Sequence, residues 1–179
     1  MSGLAEPVNT TAVGSAPMAR ALRRVYTPEE RGRRDASRWT LVQGLLAPVQ
    51  FLVFLASLAL VIRYLITGNG YGAASISVVI KTVTLYAIMI TGSIWEHEVF
   101  GRYLFAPSFF WEDVFSMLVL ALHTGYLIAL GMGNLAPTPL MLLALAAYAS
   151  YLVNAGQFLY KLRLARLEGQ YDRTGRATS

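Results

Sequence analysis

No cysteine occurs among the 179 residues. Disulfides, thiolate nucleophiles, zinc–thiolate sites and cysteine-ligated iron–sulfur clusters are therefore excluded. Charge is also scarce, with Asp, Glu, Lys and Arg making up 14% of the chain against about 25% in an ordinary soluble domain. There is no glycine-rich nucleotide loop and no internal repeat. Residues 1–19, rich in Ala, Gly, Ser, Thr and Pro, lack the apolar core of a secretion signal and read as a disordered tail.

What the chain has is apolar residues, 55% of the total, gathered into long blocks. Lipid is the solvent such blocks require. They predict an all-α, polytopic membrane protein: a four-helix bundle with spans at about 39–66, 74–95, 109–130 and 139–162. A disordered extension over 1–25 and a tail over 169–179 are expected to flank a membrane domain at 26–168.

Local signals agree with these spans. Thr27-Pro28-Glu29-Glu30 has the form of a capped helix start and predicts a short basic helix on the membrane surface. Trp39 suits an interfacial anchor. Pro48 predicts a kink in the first span. Thr138 is expected to cap the fourth span and Pro139 to open it. Lys81, just inside the outer end of the second span, is expected to snorkel outward.

The net charge of +5 would suggest nucleic acid in a soluble protein. Here the cations lie at the two ends, beside apolar spans. Seven arginines fall within residues 20–38, and Lys161, Arg163, Arg166, Arg173 and Arg176 follow the fourth span. The expected partner is the bilayer, with both termini on the cytoplasmic side.

Five ionisable residues, Glu96, His97, Glu98, Glu112 and Asp113, fall in the connection at 95–113, together with seven aromatic residues. An aromatic pocket at the membrane surface with carboxylic acids in its wall accounts for this composition. Trp95, Phe109 and Trp111 would stack on a flat apolar ligand, and a carboxyl group there could hold a proton. An interfacial aromatic belt with snorkelling acids would give the same pattern. Helical spacing places Glu112, Ser116, Val119 and His123 on one face. His123 then lies near mid-membrane, as an axial ligand to a metallated macrocycle, a proton relay or an interhelical hydrogen-bonding group. Gln43, Asn154 and Gln157 bring amides to the depth of the acids, and Gly156 is expected to permit close packing.

The stretches Trp95-Glu96, Val99-Phe100-Gly101, Tyr103-Leu104-Phe105-Ala106-Pro107 and Phe109 to Ser116, followed by Ala121-Leu122-His123-Thr124, resemble the vinyl bacteriochlorophyllide hydratase family of bacteriochlorophyll biosynthesis. So do 40–54 in the first span and 154–159 in the fourth. The resemblance covers roughly residues 26–168. It implies addition of water to the 3-vinyl group of a chlorophyllide, giving a 3-(1-hydroxyethyl) group. Such a reaction needs a proton donor and a base, which assigns Glu96, Glu112 and Asp113 as catalytic without dividing the roles. No cofactor is implied, since the substrate carries its own magnesium, to which His123 is a possible ligand. His97 and Glu98 depart from the family's pattern and are weak candidates. A homo-oligomer or neighbouring pathway enzymes could be partners.

Two other readings use the same residues. A pigment carrier or assembly subunit would need the pocket and no proton donor. A four-helix b-type cytochrome would need paired histidines, but His97 and His123 lie at mismatched depths.

Overall fold

A computed structural model describes residues 25–177, with side chains described for 25–168 and Gln170. Apart from Val25, the expected extension over 1–25 lies outside the described residues. Among those described, regular structure is entirely helical: α1 Pro28–Ala36, α2 Arg38–Thr67, α3 Tyr71–Phe100, α4 Phe110–Met132 and α5 Pro137–Ala177. α2 to α5 are each long and apolar enough to cross a bilayer. The chain is a multi-pass membrane protein.

The short first helix starts as its sequence dictates. Thr27 Oγ1 accepts the Glu30 N–H at 3.2 Å, and the Glu30 carboxylate accepts the Thr27 N–H at 2.8 Å. Ser37 turns the chain from α1 into α2. Its Oγ accepts the Trp39 N–H at 3.2 Å and donates to Glu98 at 2.7 Å. Arg33 Nε donates to the Val99 carbonyl at 2.7 Å, holding α1 against the last turn of α3.

α2 keeps Pro48 within one helix, as the first span requires. Several boundaries differ from expectation. α3 does not end at 95 but runs to Phe100, because Glu96, Val99 and Phe100 extend its inward face by another turn. It stops at Gly101, whose φ of 76° a side chain would resist and whose N–H returns to the His97 carbonyl at 2.8 Å. α5 opens at Pro137 rather than Pro139, with proline in its tolerated first-turn place. Its backbone stays helical past 162, through the expected tail, to Ala177.

The bundle is two helical hairpins, α2 with α3 and α4 with α5, each packed most closely on itself. Phe54, Val78, Leu85, Val119, Met141 and Tyr148 fill the space between them. Phe54 meets Tyr148 edge-on at 5.4 Å and Tyr151 at 4.9 Å between ring centroids. The outward faces remain apolar, with Leu41 and Ile66 among the most exposed side chains; lipid, not water, covers such faces.

Two packing expectations are overturned. Lys81 does not snorkel. It is fully buried, with Nζ 3.9 Å from the centroid of the Tyr151 ring. Lys81 shares a helix face with Ala74, Val78 and Leu85, so the turn of α3 aims it inward, where the ring's negative face receives it. Gly156 faces open space: a Cβ there would meet nothing within 4 Å. Gly92 is the glycine set against a neighbour, Gln43 Oε1 at 3.6 Å.

Candidate functional site

Glu96, in the last turn of α3, and Asp113, in the first turn of α4, face each other across the junction of the two hairpins. Both are buried, 4% and 6% exposed, and their carboxyl groups lie within hydrogen-bonding reach of one another. Two consecutive backbone amides clasp the pair. The Phe105 N–H donates to Asp113 Oδ2 at 2.7 Å, and the Ala106 N–H donates to Glu96 Oε1 at 2.9 Å. Phe105 carries a φ of 61°, the one positive value at a described residue other than glycine. Left-handed backbone is disfavoured for a bulky side chain. Here it turns two successive N–H groups toward one side, as in an anion-binding nest.

Glu112 is separate from this clasp. Its Oε1 pairs with Lys161 Nζ of α5 at 3.2 Å, and its Oε2 is buried without a hydrogen-bond partner among the described residues. The three acids are thus brought to one end of the bundle in two different settings.

The aromatic residues divide. Phe109 is buried among Trp95, Phe100 and Phe158, and Lys161 lies over its ring at 5.7 Å. Trp95 donates from Nε1 to Thr40 at 2.9 Å and meets Phe100 and Phe109 edge-on. Trp111 is not enclosed: it is 66% exposed, edge-on to exposed Phe110. Glu112 and Asp113 take the inner face of the first turn, and at about 100° per residue Trp111 is carried outward.

The amides are engaged with other partners, and the histidine stands deeper in the bundle. Gln43 donates to Thr91 at 2.8 Å, and Asn154 donates to Ser116 at 2.9 Å. Gln157 keeps a buried Oε1 with no hydrogen-bond partner among the described residues. His123 is fully buried against Tyr148 near the middle of α4; its Nδ1 lies 2.8 Å from the Val119 carbonyl. The 95–113 acids and His123 therefore do not form one cluster.

A recess of about 280 Å³ opens between α3 and α4, lined by Tyr86, Met89, Ile90, Leu120 and Thr124. Met89 precedes Glu96 by two helical turns, and Leu120 follows Asp113 by the same interval. Both pairs share a helix face, so the recess lies about 10 Å along the bundle from the carboxyl pair.

A model of the 2-vinyl bacteriochlorophyllide hydratase family matches residues 26–164. The chain belongs to that family. It is 66% identical to the 2-vinyl bacteriochlorophyllide hydratase of Cereibacter sphaeroides over 147 residues, 82% of this chain and 91% of the relative. It is 59% identical to the protein of the same name from Rhodobacter capsulatus over 162 residues, 90% of this chain and 94% of the relative. No solved structure matches it. For a hydratase family, two acids held together two helical turns from an apolar recess are the natural place to look for proton transfer.

Three participants escaped sequence reasoning. Lys161 looked like an ordinary flanking cation. The Phe105 and Ala106 amides have no side-chain signature. Tyr26 is 3% exposed, stacked on Phe100 at 5.7 Å, with the Arg34 guanidinium 4.8 Å from its ring. Burial, partly offset by Arg34, pushes its hydroxyl up to about 12. Its position inside the arginine-rich stretch at 20–38 concealed it.

Proposed function

We propose that this chain is a hydratase adding water to the 3-vinyl group of a chlorophyllide or bacteriochlorophyllide in bacteriochlorophyll biosynthesis. The carboxyl pair of Glu96 and Asp113 carries the reading at the level of residues. Two carboxyl groups in contact hold one proton between them. That proton goes to the terminal vinyl carbon, which becomes a methyl group. The alkene electrons leave a cation at the inner carbon, delocalised into the macrocycle. Water adds there, and the carboxylate left behind takes its proton. The product is a 1-hydroxyethyl group, and the pair regains its starting proton count.

The macrocycle lies in the recess between α3 and α4, reached from the membrane, with its vinyl arm toward the pair. Trp95 and Phe109 back the acids, and Trp111 meets the substrate from the lipid side. Glu112, paired with Lys161, sets the field at the site. Gln43, Asn154 and Gln157 are polar supports at that end. The magnesium belongs to the substrate, and no further cofactor takes part; His123 is its candidate ligand when the ring is drawn deep. Both termini face the cytoplasm of the inner membrane, a reading supported by the arginines flanking α2 and the cations ending α5.

The deciding experiment is incubation of the purified protein in nanodiscs with a 3-vinyl chlorophyllide. A pigment mass gain of one water, lost in the Glu96→Gln and Asp113→Asn variants, is expected. Tight binding without conversion would leave a carrier in its place.

A further inference from the structure

The interior of the bundle has a second polar system that the acid pair does not use. On α4, Glu112, Ser116, His123 and Tyr126 recur at helical spacing on the buried face. On α5, Tyr148, Tyr151, Asn154 and Gln157 do the same. The two rows run antiparallel in register. Glu112 meets Lys161, Ser116 meets Asn154, and His123 meets Tyr148. Val119 interrupts the α4 row, and there Lys81 enters from α3 over Tyr151.

Among the described residues, this seam is rich in buried polar atoms without a hydrogen-bond partner. They are Glu112 Oε2, Gln157 Oε1, Asn154 Oδ1, His123 Nε2, Lys81 Nζ and the Tyr126 hydroxyl. Inside a membrane such atoms carry the full penalty of lost hydration. Their chemistry identifies what would satisfy them. His123 Nδ1 faces a carbonyl and so donates, which leaves a lone pair on Nε2 of the neutral ring. Asn154 donates to Ser116 and presents an acceptor oxygen. The Lys81 amino group and the Tyr126 hydroxyl can donate. An anion would meet the lone pairs of Asn154, Gln157 and Glu112. A cation would meet Lys81. Water, both donor and acceptor, matches the hydrogen-bonding chemistry of every one of these atoms.

We propose that the seam between α4 and α5 holds a file of ordered water ending at Glu112, beside the acid pair, and that this file supplies the water added to the substrate. The macrocycle then enters from lipid on the α3–α4 side, and its co-substrate arrives from within. The supply role rests on the hydratase reading; occupancy by water does not.

Hydroxyl-radical footprinting by X-ray radiolysis, on the full chain in nanodiscs with ¹⁸O-water, tests occupancy. Radicals form where water is bound, so Tyr126 and Tyr148 should label severalfold faster than Tyr26, which is buried off the seam. Labelling no faster than Tyr26 would overturn the proposal. Supply is tested with Ser116→Val, which places a small apolar plug in the file; Ser116→Ala, which removes the hydroxyl without added bulk, serves if that variant does not fold. Turnover should fall severalfold with substrate affinity unchanged. Full turnover, or a loss confined to affinity, would overturn the supply role. Labelled tyrosines in a wild-type protein that never hydrates a vinyl pigment would sink the hydratase reading and leave the water file standing.

Discussion

Glu96 and Asp113 come from different helical hairpins, yet adjacent backbone amides, those of Ala106 and Phe105, hold them. The loop between α3 and α4 thereby aligns two acids that lie seventeen positions apart in the chain. Under the proposed mechanism the pair shares one proton, so the two acids should behave as a unit.

Glu96→Gln and Asp113→Asn should each lower turnover by about 10²–10⁴-fold, the usual contribution of a positioned acid or base. The double variant should be little worse than either single one, because the second loss removes a function already gone. Product formation by chromatography, with extraction yield and helicity as fold controls, checks this. Independent, multiplicative losses would count against a shared proton.

Glu112→Gln should act more weakly on turnover and more strongly on stability. Lys161→Met should be the more damaging single change, since it leaves a carboxylate that is 9% exposed without its cation. A loss of about 1–3 kcal/mol is expected for stranding such a group. Combining the two substitutions should recover part of it. Thermal unfolding in nanodiscs measures all three, and a double variant less stable than Lys161→Met would contradict the pairing argument.

Phe105 tests the clasp. Phe105→Gly removes left-handed strain of about 1–2 kcal/mol and keeps the N–H, but loses the ring set against Phe110 at 5.8 Å. Phe105→Val keeps an apolar side chain but resists the positive φ. Turnover should therefore survive better in the glycine variant than in the valine one. The reverse order would mean that the ring, not the backbone, is what the site needs.

Tyr26 lies outside the spans and gives a pH prediction. Its hydroxyl is raised from 10.0 to about 12 on folding. The folded state then binds the proton more tightly, so the contribution is present below pH 10 and is lost as pH rises toward 12. On the order of 2 kcal/mol should disappear over that window. Tyr26→Phe should flatten this limb in unfolding measured from pH 9 to 12, and an unchanged slope would refute the assignment.

The fold was legible because a membrane leaves few choices. Apolar blocks of sufficient length must be helices, and the capping box at Thr27 and Glu30 states its own geometry. The acids could be picked out because their aromatic surroundings are unusual for a connection. What could not be read was rotation about each helix axis. Trp111 and Glu112 are adjacent in sequence, yet one is exposed and the other buried. The inward turn of Lys81 was hidden for the same reason, although Ala74, Val78, Lys81 and Leu85 already show the spacing. The clasp by Phe105 and Ala106 depends on backbone dihedrals, which side-chain identity does not encode when the residue is not glycine.

The division of the bundle into α2–α3 and α4–α5 has a consequence for biogenesis. Each hairpin can insert on its own, with a short turn at its far end, but each carries only one of the two acids. Under the proposed mechanism a half-assembled molecule is chemically silent. Docking of the hairpins then switches the protein on, so misassembly in the membrane would yield inert protein rather than a leaky catalyst.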